Sequence, residues 1–325
     1  MTDTSRTRGQ GAVGDCASVS AVIPCFNGEK YLRETLESAV GQTHGPVEIL
    51  VVDDGSTDDS AAIAESFGPP VRVIRQENQG ESVARNRGID EAQGAWVAFL
   101  DADDVWERTK LEKQLAAATT SLVAVHTDIR QFGTVERELR IREEFGEERY
   151  NVERLAVRNC IPCPSSMIVR REACPRFPEW TKDAEDQVFM LELVRRGPVA
   201  LVEEPLTRYR VHSASQSQAN RNFATVRWHR TIARWLSEQD WISQDSLSEI
   251  EVGWERKLLR ALNNARRTRA WDEHKAIRDY LSEVFGDRPA VRAALGRRTY
   301  PAWAYRAADG LRRVRRAMLG KSLAR

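Results

Sequence analysis

The chain has 325 residues, of which 41% are hydrophobic and 30% are charged, and its formal net charge is +1. This composition is typical of a globular protein and excludes a largely disordered chain, while the small net charge gives no overall attraction to nucleic acid, so no nucleic-acid partner is expected. No run of 18 or more apolar residues occurs, so we expect no membrane-spanning helix. The polar, Gly-rich segment 1–17 is predicted to be a flexible tail.

The five cysteines are an odd number, and no apolar secretion signal precedes them. We therefore expect reduced thiols and a cytoplasmic protein. Cys160 and Cys163 form one Cys-x-x-Cys pair, but no second pair or His cluster follows at the spacing of a zinc site. The pattern favours small residues at a turn before a strand over a metal or redox centre.

Strand and helix patterns alternate over the first hundred residues. The predicted strands share short β-branched or continuously apolar runs: Val19–Ile23, Val47–Val52, Val71–Ile74 and Ala95–Leu100. Helices are predicted over 27–40 with Asn27 as the N-cap, from about Thr57 with Ser56 as the N-cap, and over 81–92. This order predicts an α/β fold with a doubly wound, mainly parallel sheet. Such sheets bind ligands beyond the carboxyl ends of their strands.

The pattern is less regular after Leu122. Short strands are predicted over 122–126, 165–169 and 199–202, and a helix over 183–196. The segment 136–149 carries charges of both signs, which predicts a solvated excursion. From about 223 to 285 the pattern is helical, with one buried stripe formed by Leu247, Ile250, Trp254, Leu258, Ala261 and Ala265.

Carboxylates directly follow the fourth predicted strand, where Phe99-Leu100 runs into Asp101-Ala102-Asp103-Asp104. Two carboxylates one residue apart at a strand end can bind one cation and the hydroxyls beside it. Hard oxygen ligands suit Mg2+ or Mn2+, which in turn neutralise a diphosphate. An Asp-x-Asp triplet alone is a weak signal, because acidic turns are common solvated features, but its place after a buried strand strengthens it.

Three further motifs accompany these aspartates at strand ends: Val22-Ile23-Pro24-Cys25-Phe26-Asn27, Val51-Val52-Asp53-Asp54-Gly55-Ser56-Thr57-Asp58, and Asn78-Gln79-Gly80 with Ala84-Arg85-Asn86-Arg87-Gly88. Together the four motifs resemble the family 2 glycosyltransferases of GT-A fold. The resemblance implies a catalytic domain over 18–217, with a nucleotide-sugar half at about 18–125 and an acceptor half at about 126–217. A C-terminal helical extension is predicted over 218–293 and a basic amphipathic tail over 294–325.

The resemblance implies several contacts to a nucleotide sugar. Phe26 stands where the family stacks an apolar surface on the nucleobase, and Asp53 matches the carboxylate that accepts a hydrogen bond from the base. Arg85 matches a basic residue that meets either phosphate or base, and Asp101 faces either the ribose or the metal. The full set implied for the donor is Pro24, Phe26, Asn27, Asp53, Asp54, Arg85, Asp101, Ala102 and Arg210.

The resemblance also implies Mg2+ or Mn2+ as cofactor, with Asp103 as the direct ligand and Asp101 as a second one. Asp104 either coordinates the ion or orients a neighbour. Tyr209-Arg210-Val211-His212 resembles the closing segment of the family. His212 then either completes the metal shell or contacts the diphosphate, and Arg210 binds phosphate.

An acidic motif, Lys182-Asp183-Ala184-Glu185-Asp186-Gln187-Val188-Phe189, looks like the family's base motif at a helix start. Two neighbouring carboxylates raise one pKa toward a value useful for deprotonating a hydroxyl, so Asp186 is the predicted base and Glu185 the second choice. Taken alone, the motif is more simply a helix start with favourable acids. Upstream, Pro175-Arg176-Phe177-Pro178-Glu179-Trp180 replaces the family's usual Gly-x-Phe-Asp, which leaves the acceptor side unassigned.

The resemblance implies an inverting, metal-dependent hexosyltransferase. Its donor is a nucleoside-diphosphate sugar, a UDP-sugar as first choice, and its acceptor is a hydroxyl on a saccharide or a lipid-linked molecule in polysaccharide, glycolipid or other glycoconjugate synthesis. One alternative is a nucleotide-sugar-binding module without turnover. The other is a sugar-phosphate nucleotidylyltransferase, which needs a Gly-rich phosphate loop where this chain has 24–29.

The segment 294–325 carries nine Lys or Arg residues (297, 298, 306, 312, 313, 315, 316, 321 and 325) against one acid, Asp309. Its apolar residues Trp303, Ala307, Leu311, Val314 and Met318 fall on one helical stripe. Such a helix either lies on the inner face of an anionic membrane, where each basic residue contributes about 1 kcal/mol, or packs on the catalytic domain. The sequence leaves both readings open.

Overall fold

The computed structural model describes residues 17–161, 163–212 and 224–296. The predicted tails at 1–17 and 294–325 lie outside these ranges, apart from Ala17 and 294–296. The chain divides into two compact units, Met1–Ser215 and Gln216–Arg325, and the finer domain limits stay predictions. Within the described ranges, none of the helices has both the length and the hydropathy needed for a membrane span.

The first unit combines strands and helices. Its described strands are β1 (Val19–Cys25), β2 (Glu48–Asp53), β3 (Val71–Arg75), β4 (Trp96–Phe99), β5 (Val105–Trp106), β6 (Ala124–Gly133), β7 (Arg137–Leu139), β8 (Met167–Arg170) and β9 (Val199–Val211). Its described helices are α1 (Leu32–Val40), α2 (Ser60–Glu65), α3 (Glu81–Glu91), α4 (Lys110–Ala117), α5 (Ile141–Phe145), α6 (Val152–Val157) and α7 (Glu185–Arg196). Short 3-10 turns at Pro164–Ser166 and Arg171–Ala173 flank β8.

All described strands belong to one mixed sheet, in the order β3-β2-β1-β4-β8-β6-β9-β5, with β7 beside β6. The strands β1, β2, β3, β4, β6 and β9 run in one direction, because β8 is antiparallel to both β4 and β6. The predicted mainly parallel α/β sheet is therefore confirmed. Strand β1 lies between β2 and β4, so Cys25 sits beside Asp53, and Val22 beside Phe99, at the same carboxyl edge.

Helix α3 packs unusually close to the central strand. Every residue of β1 is buried, as expected for a strand covered on both faces. A Cβ atom added at Gly88 of α3 would lie 2.2 Å from Cγ1 of Val22. Glycine is therefore needed at this position to let the helix approach the sheet, and the residues before it in the helix are brought to the sheet edge.

Two predicted helix starts are wrong. Helix α1 begins at Leu32 rather than at 27, because Asn27 adopts a left-handed φ of 52° and its side chain accepts a hydrogen bond from the Thr57 N–H. Helix α2 begins at Ser60 rather than near Thr57, and the Ser56 hydroxyl instead accepts from the Asn27 N–H at 3.0 Å. Both cap-type side chains tie together the loops that follow β1 and β2.

The predicted excursion at 136–149 is also corrected by the structure. It contains β7, which pairs with β6, and α5, whose first residue Ile141 is buried. The Ile141 N–H donates to Asp128 Oδ1 at 2.8 Å, and Arg149 is only 7% exposed. Tertiary packing overrides the polar composition here, because Leu139 and Ile141 are buried together with the side chain of Arg149.

The cysteines of the described ranges are free thiols. Cys160 and Cys163 are both buried in the segment that precedes β8. Burial raises the pKa of the Cys160 thiol to about 12, so it stays protonated. The burial of both thiols agrees with the prediction that these cysteines are small residues packed at a turn before a strand.

The second unit is helical over its described residues. It contains α8 (Ala224–Ser237), α9 (Gln244–Arg267), α10 (Trp271–Phe285) and α11 (Pro289–Gly296). The Ser243 side chain caps α9 by accepting from the Ser246 N–H. Ile250, Trp254 and Leu258 are buried, as the helical stripe predicts.

We predict that Gly88→Ala destabilises the protein. Overpacking against the buried Val22 costs about 1–3 kcal/mol, which exceeds the roughly 1 kcal/mol that alanine gains over glycine in helix propensity. Urea denaturation of the full-length variants measures the difference. Gly45→Ala is the control, because no atom lies within 4 Å of the added Cβ there. An equal loss from Gly88→Ala in a Val22→Ala background would contradict the packing explanation.

Candidate active site

A buried guanidinium lies at the carboxyl edge of the sheet. Arg85, on α3, is 2% exposed, and its Nη2 donates to Glu81 Oε1 at 2.5 Å and to Asp101 Oδ1 at 2.8 Å. Its Nη1 lies 3.6 Å from Asp186 Oδ1, at the start of α7. One cation thus connects α3, the end of β4 and α7, and it brings the predicted residues Asp101 and Asp186 together.

Three aspartates follow β4, and each has a different environment. Asp103 is 31% exposed, and its Oδ2 lies 2.9 Å from His212 Nε2. Asp104 is fully buried, and its Oδ1 accepts from the Arg210 N–H at 2.8 Å. Burial, and then the charges of Asp101 and Asp103, raise the pKa of Asp104 well above its usual range. The segment around Arg210 and His212, far along the chain, therefore closes over the acidic motif.

Arg210 is held in place by both polar and aromatic contacts. Its Nε donates to the Asp103 carbonyl at 2.7 Å, and its Nη2 donates to Glu34 Oε2 at 2.5 Å. The guanidinium carbon lies 4.5 Å from the ring centre of Tyr31 and 4.3 Å from that of Phe132. The Arg210 side chain is therefore an organised part of the site wall rather than a loose surface charge.

The ends of β1 and β2 lie at the same edge of the sheet as the end of β4. Pro24 lies within β1 and pairs with Val52, and the Phe26 side chain is 53% exposed. The Asp53 carboxylate is buried and accepts from the Ser56 N–H at 3.0 Å. The Ala102 carbonyl accepts from the Thr35 hydroxyl, which fixes the turn between the predicted metal ligands.

The Asp54 carboxylate accepts hydrogen bonds from three groups of the chain itself. Its Oδ1 accepts from Gln76 Nε2 and from the Gln79 N–H, and its Oδ2 accepts from the Gly80 N–H at 2.8 Å. The carboxylate is buried. These bonds fix the loop that leads into α3, and the predicted donor contact of Asp54 stays a prediction.

The acidic pair at the start of α7 has altered acidity. Burial, and then the charges of Glu185 and Asp101, raise the pKa of Asp186 to about 7, although Arg85 opposes this shift. Burial, and then the charges of Glu81 and Asp183, raise the pKa of Glu185 to about 7, against the same opposing cation. Burial thus raises the pKa range of this pair toward neutral pH, which suits a general base.

Several residues of the site were not among the predicted ones. Glu81 contacts Arg85 at the i,i+4 helical spacing, a signal that the sequence contains. Asn86 joins α3 to the segment before the acidic motif: its Nδ2 donates to the Phe177 carbonyl, and its Oδ1 accepts from the Phe177 N–H at 2.8 Å. The 91-residue separation of this pair leaves no local signal. Below the site, Phe177 stacks on Phe189 with ring centres 4.1 Å apart.

The donor atoms near Asp103 fit a divalent cation. The carboxylate of Asp103 is an ordinary ligand of Mg2+ or Mn2+, and the imidazole of His212 lies beside it at 2.9 Å. Asp104 Oδ2 is buried with no hydrogen-bond partner among the described residues. Within those residues, no group of three or more His, Cys, Asp or Glu side chains is arranged to hold a metal unaided. A cation here needs further ligands, such as phosphate oxygens.

The sequence is similar to known glycosyltransferases. The family model described as glycosyl transferase family 2 matches residues 20–177. An uncharacterized glycosyltransferase of Nostoc sp. is 32% identical over 242 residues, which cover 70% of this chain and 71% of that protein. Other curated relatives match over 97 to 104 residues, and the chain spans only 30% to 40% of their own length.

Solved structures of GT-A glycosyltransferases share the fold. Staphylococcus aureus TarS 1-349, crystallised in complex with UDP-GlcNAc, matches with a TM-score of 0.64 and 20% identity, over 82% of this chain and 81% of that one. The mannosyltransferase PcManGT of Pyrobaculum calidifontis, in complex with GDP-Man and Mn2+, matches with a TM-score of 0.54 and 18% identity, over 90% of this chain and 79% of that one.

We predict that Arg85→Gln destabilises the first unit by about 3 kcal/mol at pH 8, because it leaves three clustered carboxylates without their buried cation. Without the cation the folded-state pKa values of Glu81 and Asp186, which burial already raises, rise further, so stability is lost as pH rises and the deficit shrinks toward pH 5. Urea denaturation at the two pH values measures this.

Arg87→Gln is the matched control on the same helix, because Arg87 is 54% exposed and pairs only with Glu91 in the described structure. We expect it to change stability by less than about 0.5 kcal/mol. Equal effects of the two substitutions, or a deficit for Arg85→Gln that grows on acidification, would contradict the assigned role of the buried cation.

Proposed function

The chain belongs to glycosyl transferase family 2, and we propose that it transfers a sugar from a nucleoside-diphosphate sugar to a hydroxyl acceptor with inversion at the anomeric carbon. The observation that carries this proposal is the contact of Arg85 with both Asp101, after β4, and Asp186, at the start of α7. This contact brings the two carboxylates together, which supports the proposal that a donor-side carboxylate and a base serve one reaction centre.

The proposed donor site is the edge formed after β1, β2 and β4. The exposed Phe26 ring offers a surface for stacking on a base, and Asp53 offers a carboxylate oxygen to a base N–H. A UDP-sugar is our first choice, because the structural relative with the higher TM-score was crystallised with UDP-GlcNAc. Arg85 is predicted to contact phosphate or base, but it is only 2% exposed. We therefore propose that it acts by holding Asp101 in position.

Mg2+ or Mn2+ is the proposed cofactor, held by Asp103 and His212, with Asp101 beside them. The related PcManGT was crystallised with Mn2+ together with its nucleotide sugar. When bound, such an ion neutralises charge on the departing diphosphate. Burial, and then the charge of Asp101, already raise the pKa of Asp103, which indicates an excess of negative charge that a cation relieves.

Asp186 is the proposed base and Glu185 the second candidate. The attacking hydroxyl loses its proton to the carboxylate as the new glycosidic bond forms and the bond to the nucleoside diphosphate breaks. The acceptor oxygen then approaches from the face opposite to the leaving group, which inverts the configuration of the anomeric carbon. A saccharide or a lipid-linked hydroxyl is the proposed acceptor class, and the cytoplasm the proposed compartment.

We predict that a nucleoside diphosphate raises the melting temperature only when Mn2+ is present, because a ligand that binds the native state stabilises it. A panel of UDP, GDP and TDP, each with and without Mn2+, identifies the base. Asp103→Ala should remove this shift and lower activity at least about a hundredfold. Asp279→Ala, on the exposed surface of α10, is the control. Full activity in excess chelator would exclude the metal.

We predict that Asp186→Asn lowers turnover by about a hundredfold while leaving donor binding intact, because the amide keeps the size but not the basicity of the carboxylate. Turnover of the wild type should rise with pH through about 7, since a base acts when ionised and burial has raised the pKa of Asp186 to that value. Release of nucleoside diphosphate measures turnover. If Glu185→Gln loses this pH dependence and Asp186→Asn keeps it, Glu185 is the base.

We predict that the product has the anomeric configuration opposite to that of the donor. A single displacement needs one base and one leaving group, and no second carboxylate is assigned as a nucleophile. Proton NMR of the glycoside, recorded before it equilibrates, distinguishes the two configurations. Retention would overturn the mechanism, while donor binding without any release of nucleoside diphosphate would favour the binding-module alternative.

A further inference from the structure

A surface groove of about 450 Å³ lies in the second unit, where α9 ends and α10 begins. An amide, three guanidinium groups and an indole line it, namely Asn263, Arg266, Arg267, Arg269 and Trp271. None of these lining residues is acidic. None of them belongs to the proposed donor, metal or base residues, so the proposed transfer reaction does not account for this groove.

The backbone at the groove holds an arginine where glycine is favoured. The Ala270 N–H donates to the Ala265 carbonyl at 2.9 Å, and the Arg269 N–H donates to the Arg266 carbonyl at 3.3 Å. These two bonds end α9 in a motif whose left-handed residue is usually glycine, because a Cβ atom there is disfavoured. Arg269 occupies that residue with φ of 60°. The chain therefore carries a long cationic side chain at a position whose backbone conformation favours glycine, which has no side chain.

Helix electrostatics explain only part of this cluster. Arg266 and Arg267 lie in the last turn of α9, where positive charge complements the helix dipole. Arg269 lies beyond that turn in a disfavoured conformation, so neither the dipole nor local backbone preference accounts for it. Strained residues of this kind are concentrated at ligand sites. The strained arginine and the groove are separate observations that indicate the same place.

We propose that this groove binds a phosphate group carried by a sugar ring. Guanidinium groups bind phosphate oxygens through paired, charge-assisted hydrogen bonds, and arginine is preferred over lysine for this geometry. The indole of Trp271 offers a flat apolar face to the ring. A volume of about 450 Å³ accommodates a monosaccharide phosphate. The same chemistry is found in a soluble sugar phosphate and in a ring-bearing phospholipid headgroup.

Isothermal titration of the full-length chain with glucose 6-phosphate, with inorganic phosphate and with glucose tests the site. We expect glucose 6-phosphate to bind most tightly and glucose not to bind. Arg269→Gly should weaken binding at least tenfold while the melting temperature stays equal to or above that of the wild type, because glycine relieves the left-handed strain. A merely structural arginine would show no loss of binding.

Three further variants locate the ligand. Arg256→Gln, an exposed residue earlier on α9, should bind as the wild type does. Asp103→Ala should also bind normally, which separates this site from the donor site. Trp271→Phe should weaken the binding of glucose 6-phosphate more than the binding of inorganic phosphate, since only the sugar is proposed to contact the indole of Trp271.

Unchanged binding in Arg269→Gly, equal binding of glucose, or loss of binding in Asp103→Ala would each overturn the proposal. Co-sedimentation with vesicles of phosphatidylinositol in phosphatidylcholine identifies the source of the phosphate. If these vesicles displace glucose 6-phosphate from the wild type but do not bind Arg269→Gly, the ligand is a lipid headgroup. If they do not displace it, the ligand is a soluble sugar phosphate.

Discussion

The guanidinium of Arg85 is the interaction on which the candidate active site depends. It is almost fully buried and contacts Glu81, Asp101 and Asp186, three carboxylates from separate elements of the first unit. A buried charge of this kind is tolerated only because opposite charges surround it. The same contact sets the position of the donor-side aspartate and of the acidic pair at the start of α7. Structure and proposed chemistry therefore share one ion cluster, and its charges, after burial, set the raised pKa values of Glu81 and Asp186.

Side chains that hydrogen-bond to the backbone of distant loops build the rest of the site. Asp54 holds the loop before α3 through the N–H groups of Gln79 and Gly80. Asn86 holds the segment at Phe177, 91 residues away. Loops otherwise leave polar backbone groups unpaired, and burying those groups is costly unless a side chain pairs them. The motifs therefore include residues that contribute to the site by fixing its shape rather than by touching a substrate.

The acidic motif after β4 shows how one short sequence supports separate tasks. Asp101 pairs with the buried cation, Asp103 faces His212 at the open side, and Asp104 accepts a backbone N–H from the segment that closes the site. Their mutual repulsion raises the pKa values of Asp103 and Asp104 in addition to the effect of burial. Added positive charge would reduce this repulsion between the carboxylates. This is the physical reason to associate the cluster with a cation, which in turn binds a diphosphate.

The sequence by itself determined the order of strands and helices over the first hundred residues, because apolar periodicity and βα alternation are local properties. The elements β2, β3, α3 and α7 lie close to their predicted ranges. The sequence also indicated which strand ends carry the polar residues. Only the tertiary structure decided that Asn27 and Ser56 bridge two loops instead of capping helices, and that 136–149 contributes Ile141 to the core. The same holds for the pairing of His212 with Asp103 and of Arg85 with Asp186. These contacts join residues that are about 100 positions apart, and no local pattern encodes them.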